Sequence, residues 1–243
     1  MRFIIMHKTN AHWEAGGIPG PALIARVGEL IADLVKSGAL QGADGLRPSS
    51  EGVRLTLSPD GQHITPGPFQ GDNELPAGFS ILRTESIDAA IDWAAQQAQA
   101  LGPDAPVEID IRPVTEPWDI GMAPKPDSIS SRRYMVLRKA TPATESGAAP
   151  SAAQRTRLSG LIDAATRTGI HLTAETMRPS RRGRRLKNSR DGVLIMDGPF
   201  AETKELISGF VIVSADSIDE ATRWAERYIR AVGAHEVDVR ELE

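Results

Sequence analysis

Shifted by 131 residues, the chain lands on itself. Arg2 falls on Arg133, Gly38 on Gly169, and Arg47-Pro48-Ser49 on Arg178-Pro179-Ser180. Gly67-Pro68-Phe69 meets Gly198-Pro199-Phe200, Gly78-Phe79 meets Gly209-Phe210, and Trp93-Ala94 meets Trp224-Ala225. Roughly a third of the positions from 2 to 102 are identical in this register without a gap. The register then slips by three, and Glu108-Ile109-Asp110-Ile111-Arg112 matches Glu236-Val237-Asp238-Val239-Arg240. Self-similarity of this length reads as a tandem duplication, and it restricts the chain to two units of like design. The expected domains are residues 1–114 and 132–243, with the proline-bearing stretch 115–131 as the linker.

Both copies follow one grammar. A strand opens each, at Phe3–His7 and Tyr134–Arg138. Leu23, Ile24, Val27, Leu30, Ile31 and Leu34 then recur at helical spacing, and Gly38 and Gly169 sit where a helix ends on a positive φ. Asp60-Gly61 and Asp191-Gly192 signal hairpins. A further strand, a helix starting at Ser86 or Ser217, and a last strand complete each copy; Ser217 and Glu220 have the spacing of a capping box. The order β-α-β, hairpin, β-α-β predicts an α+β fold of two ferredoxin-like domains. Helices cover one sheet face, so the other needs a partner. The expectation is a pseudo-dimer packed sheet to sheet, with a ligand cavity between the sheets.

Composition removes several classes of chemistry. The chain has no cysteine, which excludes disulfides and thiolate nucleophiles and fits a reducing cytoplasm. No run approaches the ~18 apolar residues of a membrane span, so a cytoplasmic protein with no membrane partner is expected. His7, His12, His63, His171 and His235 show no metal-ligand spacing, and there is no glycine-rich phosphate loop. Neither metal nor cofactor is expected. Net charge is −6 over residues 1–113 and +4 over 132–243, which favours mutual docking of the halves or different partners for each.

The two copies also differ, and the differences point to a site. DGPFAETKE at 197–205 corresponds to PGPFQGDNE at 66–74. Gly-Pro-Phe persists and reads as framework: glycine for a tight approach, proline to fix φ, phenylalanine as anchor. Asp197, Glu202, Thr203 and Lys204 are replaced by Pro66, Gly71, Asp72 and Asn73. The second copy therefore holds two carboxylates, a hydroxyl and an ammonium that the first has lost. Asp197 and Lys204, with His171 at a strand start, are the candidate catalytic residues; Glu202, Thr203 and Phe200 are candidate ligand contacts. A competing reading makes Asp197 an Asx-turn residue and the motif a loop stabiliser. The phrase and the Gly-Phe and Ser-Ile-Asp-Glu-Ala stretches that follow it resemble the DGPF branch of the YCII-related family. That resemblance implies a dimeric α+β barrel fold. Its members are mostly uncharacterised; some relatives carry a His–Asp pair proposed as catalytic, and many are encoded beside extracytoplasmic-function sigma factors.

RRGRRLKNSR at 181–190 has six basic residues in ten, but lacks the aromatics of a nucleic-acid surface. A solvated hairpin, or one salt-bridged to the acidic first copy, is expected instead. Arg112 and Arg240 are expected in edge salt bridges. Two functions remain open: a small-molecule site, binding or enzymatic, between the domains; or an accessory protein with a transcription-related partner. Self-association into a homo-oligomer also remains open, and the residues do not choose between binding and transformation.

Overall fold

The computed structural model describes residues 1–69, 75–102, 106–201 and 206–243. In chain order the elements are β1 (Arg2–Lys8), α1 (Ala11–Glu14), α2 (Pro21–Lys36), β2 (Leu40–Gly45), β3 (Val53–Ser58), β4 (Gly61–Pro66), β5 (Pro76–Thr84), α3 (Ile87–Leu101) and β6 (Val107–Pro113). They continue with β7 (Arg132–Lys139), α4 (Pro142–Ser146), α5 (Ala152–Arg167), β8 (His171–Thr176), β9 (Arg184–Ser189), β10 (Gly192–Asp197), β11 (Ile207–Ser214), α6 (Ile218–Val232) and β12 (Glu236–Glu241). Local signals behave as expected. Gly38 and Gly169 both have φ of 73°, and the Asp-Gly turns join β3 to β4 and β9 to β10. The capping box is half formed: the Ser217 hydroxyl accepts from Glu220 N–H, but the Glu220 carboxylate takes the N–H of Asp216, one residue early.

The strands form two six-stranded antiparallel sheets, ordered β10-β9-β12-β1-β11-β2 and β4-β3-β6-β7-β5-β8. Each sheet mixes strands from both halves of the chain. β1 pairs with β11 and β12, and β2 pairs with β11. In the second sheet β7 pairs with β5 and β6, and β8 with β5. The compact units follow the sheets: the first is Met1–Leu46 with Met177–Glu243, the second is Arg47–Thr176. The segment 115–131 thus connects β6 to β7, neighbouring strands of one sheet, inside the second unit. It is clipped there. A 3₁₀ turn at Pro117–Ile120 is capped by Glu116 and Asp119, Glu116 takes Arg133 at 3.0 Å, and Asp119 takes Arg132.

Within each unit the layout is consistent with a ferredoxin-like domain extended by a hairpin. In the first, β1-α2-β2 and β11-α6-β12 interleave, and both helices pack on one sheet face. Phe3 and Ile5 of β1, Val211 and Val213 of β11, and Val237 and Val239 of β12 meet Leu30 and Leu34 of α2 and Ala221, Ala225 and Ile229 of α6 in one core. The second unit builds the same core from Leu82, Ile109, Ile111, Val136 and the α3 residues Ala90, Trp93, Ala94 and Ala98. Strand alternation puts Ile4, Met6 and Lys8 on the other face, and all three are buried. Among the described residues no helix is long and apolar enough to cross a membrane.

Candidate functional site

The Gly-Pro-Phe phrase is built the same way in both units. Gly198 N–H donates to the Gly183 carbonyl, and Gly67 N–H to that of Gly52. A Cβ at Gly198 would stand 1.9 Å from the Ser180 carbonyl oxygen, and one at Gly67 1.8 Å from that of Ser49, so only glycine fits. The Ser180 hydroxyl accepts Phe200 N–H at 3.1 Å, and Ser49 accepts Phe69 N–H at 3.2 Å. This is why Arg-Pro-Ser and Gly-Pro-Phe recur together: they clasp each other.

Beneath each phenylalanine runs a line of buried charge. The Arg185 guanidinium lies 4.6 Å from the Phe200 ring centre and grips Asp238 bidentately at 2.7 and 3.0 Å. The other side of Asp238 takes the Lys8 ammonium at 2.6 Å, with both side chains almost wholly buried. Glu236 joins Arg185 and Lys187, each at 3.2 Å. The second unit repeats the line as Phe69, Arg54, Asp110 and Lys139, with the Lys139–Asp110 contact at 2.8 Å. Register explains it. Arg185 stands opposite Asp238, and Asp238 opposite Met6, two residues from Lys8 on the same face. Burial works to raise the Asp238 pKa, but the Lys8 charge and the Arg185 hydrogen bonds outweigh it and the net direction is down. Asp110 behaves likewise with Lys139 and Arg54. Because both units carry it, this line belongs to the framework.

The two units part company at the end of β1. His7 follows Phe3 and Ile5 onto the helix-covered face, and its Nδ1 lies 2.8 Å from the Tyr228 hydroxyl of α6. The rings meet edge to face, centroids 5.6 Å apart. Opposite His7 stand Gly209 and then Gly45. The imidazole leans over Gly209, whose Cβ would sit 2.7 Å from His7 Cε1. Burial pushes His7 down to about 4 and pushes the Tyr228 phenol up. Near pH 7 both groups are uncharged and are joined by one hydrogen bond. In the second unit the corresponding residues are Arg138, over Gly78, and Gln97, which donates to Ser80 at 3.4 Å. The same niche thus holds an imidazole–phenol pair in one unit and an arginine with an amide in the other.

The residues singled out from sequence fall as follows. Asp197 ends β10, is four-fifths exposed, and accepts from Arg184 at 2.8 Å; Arg184 also reaches Asp219 at 2.6 Å and Thr222. Asp197 therefore ties the hairpin to the first turn of α6. Phe200 is held under Arg185. Glu202, Thr203 and Lys204 lie outside the described residues. His171 opens β8 in the second unit, whereas Asp197 belongs to the first. Its Nδ1 is 3.5 Å from Thr166 Oγ1, and burial lowers its pKa. Four of the six basic residues of the stretch are ion-paired within their own unit: Arg182 to Glu241, Arg184 to Asp197 and Asp219, and Arg185 and Lys187 to Glu236. These partners lie in the C-terminal half, not in the acidic N-terminal one. Arg112 and Arg240 are not at sheet edges. They are buried on β6 and β12, each inside its sheet, and donate to the carbonyls of Arg47 and Arg178. Sequence reasoning passed over His7, Tyr228, Lys8 and Asp238. The signal for Lys8 was present: an ammonium in parity with Ile4 and Met6 on a strand needs a buried counter-charge. Among the described residues, no group of three or more His, Asp or Glu is placed to hold a metal.

Residues 132–243 match the family model of the YCII-related domain. The chain is also similar to the uncharacterized protein R00369 of Rhizobium meliloti (strain 1021), 42% identical over 55 residues, which is 21% of this chain and 44% of that protein. The chain spans less than half the length of that curated relative.

Proposed function

We propose that the whole chain is a tandem pair of YCII-related repeats of the DGPF branch, and that it binds a small polar molecule beside His7 and Tyr228 of the first unit. One observation carries this. Strand pairing brings His7, from the opposite end of the chain, into the same unit as Tyr228 and the phrase 197–201. A neutral imidazole hydrogen-bonded to a protonated phenol can donate to, accept from, or pass a proton along a ligand carbonyl or hydroxyl without placing a charge in a desolvated niche. The ligand class that suits it is neutral and oxygen-bearing. In this reading Asp197 positions the hairpin and the phrase that follows it, while Glu202, Thr203 and Lys204 remain candidate ligand contacts and Phe200 their anchor. His171 stands apart from this niche. The sheet-to-sheet pairing expected from the sequence, and self-association, stay part of the proposal.

The test is ligand-observed NMR with a panel of small ketones, enols, alcohols and carboxylates against wild type, Tyr228→Phe and His7→Gln. At least one neutral compound should bind wild type and lose most of its affinity in both variants, while the melting profile stays cooperative. A panel with no binder, or binders indifferent to both changes, would sink the proposal. Measuring turnover of any compound found then separates binding from catalysis. A transcription-related accessory role is the second reading from family context. The ion-paired state of Arg182, Arg184, Arg185 and Lys187 offers it little free positive charge.

A further inference from the structure

The second unit contains a polar pair that the first unit replaces with an apolar one. His171 corresponds to Leu40, and Trp93 to Trp224. In the first unit Leu40 and Trp224 both pack against the core as ordinary apolar neighbours. In the second, Trp93 belongs to the core and is 5% exposed, and its indole nitrogen is shielded from solvent with no hydrogen-bond partner among the described residues. His171 Nε2 is equally shielded and equally without a partner there. The two ring centroids lie 5.8 Å apart, with the ring planes tilted by 32°.

An indole N–H can only donate, and a buried donor left unpaired is disfavoured. Leucine at position 171 would leave one buried unpaired polar group; histidine leaves two, the indole donor and the imidazole Nε2. The arrangement makes physical sense if a third group serves both. One oxygen hydrogen-bonded to two nitrogens spans up to about 6 Å between them, and ring centres 5.8 Å apart are compatible with such a bridge. We propose that a single water molecule is held between Trp93 and His171, accepting from the indole Nε1–H and donating to the imidazole Nε2. The histidine is then neutral with its proton on Nδ1, facing Thr166 Oγ1. Buried waters of this kind make about 2–4 hydrogen bonds and form part of the fold. Water, rather than a metabolite, suits two solvent-shielded nitrogens on rings whose centres are 5.8 Å apart. This inference is independent of the first-unit niche.

The test uses the full chain labelled with ¹⁵N-tryptophan. The chain has four tryptophans, and Trp93→Phe assigns the Trp93 indole signal. Wild type should show a rotating-frame cross-peak between bound water and the Trp93 indole proton, and His171→Leu should lose it. Native mass spectrometry should show the chain mass with no organic adduct. No water cross-peak in wild type, a cross-peak that survives in His171→Leu, or a copurifying adduct removed by either substitution would each overturn the proposal. If His171→Leu fails to fold, the wild-type spectrum and mass decide alone.

Discussion

Single residues divide here into those that both units share and those that only one holds. Asp238 is shared in kind with Asp110, and its chemistry is that of a buried carboxylate with two cations. Asp238→Ala leaves Lys8 and Arg185 without their common partner. It should destabilise the chain by about 3–5 kcal/mol in chemical denaturation. Asp197→Ala breaks only an exposed pair and should cost under about 1 kcal/mol in the same assay. His7 is unshared, and it predicts a pH effect. Its folded pKa, about 4, lies below the ordinary ~6.5 of an unfolded histidine. The unfolded chain therefore binds more protons between these values. This contribution is fully present above about pH 6.5 and is lost progressively as pH falls toward 4, by up to about 3 kcal/mol. Urea melts across that range should show wild type weakening and His7→Gln weakening less. Equal slopes would mean that the imidazole is not desolvated.

At the scale of elements, the clasp between the 3₁₀ turn at Ser180–Arg182 and the Gly-Pro-Phe phrase fixes where the hairpin β9–β10 ends. Gly198→Ala drives a methyl into the Ser180 carbonyl, and the atoms it meets are all Ser180–Arg181 backbone, which cannot swing aside as a side chain would. The expected loss is about 2–4 kcal/mol, accompanied by shifts in the β9–β10 and Arg185 resonances. Gly192→Ala, which meets no atom within 4 Å but sits at a φ of 127°, should cost about 1–2 kcal/mol through backbone strain alone. The persistence of Gly-Pro-Phe in both copies already marked this element as framework. The reason it is framework, a carbonyl under 2 Å from where a Cβ would be, is visible only when Ser180 and Gly198 are brought together.

For the whole molecule, the exchange of strands matters most. β1 and β2 have their pairing partners on β11 and β12, not on β3 to β6. Residues 1–114 alone would hold two strands with no sheet to join, and residues 132–243 would leave β7 and β8 in the same position. Expressed separately, neither fragment should give a cooperative monomer by circular dichroism melting; coexpressed, they should copurify as a one-to-one complex. A monomeric, cooperatively folding 132–243 fragment would show that a repeat can close its own sheet. The same pairing brings the acidic segment 47–113, at −6, and the basic segment 132–176, at +4, together in the second unit, while 1–46 and 177–243 are each neutral.

Alternation, helical spacing, caps and turn glycines are local properties, and they determined the identity and order of nearly every element from the sequence alone. The 131-residue correspondence likewise marked which residues are framework. Which copy each strand would pair with was a different kind of question. Two copies of similar sequence offer nearly identical edges, so strand pairing within a copy and between copies satisfies the same alternation. The tertiary structure chose between them, and by that choice it placed His7 against Tyr228 and Lys8 against Asp238, pairs separated by 221 and 230 residues. No local pattern carries such contacts, because they exist only once the sheet is assembled.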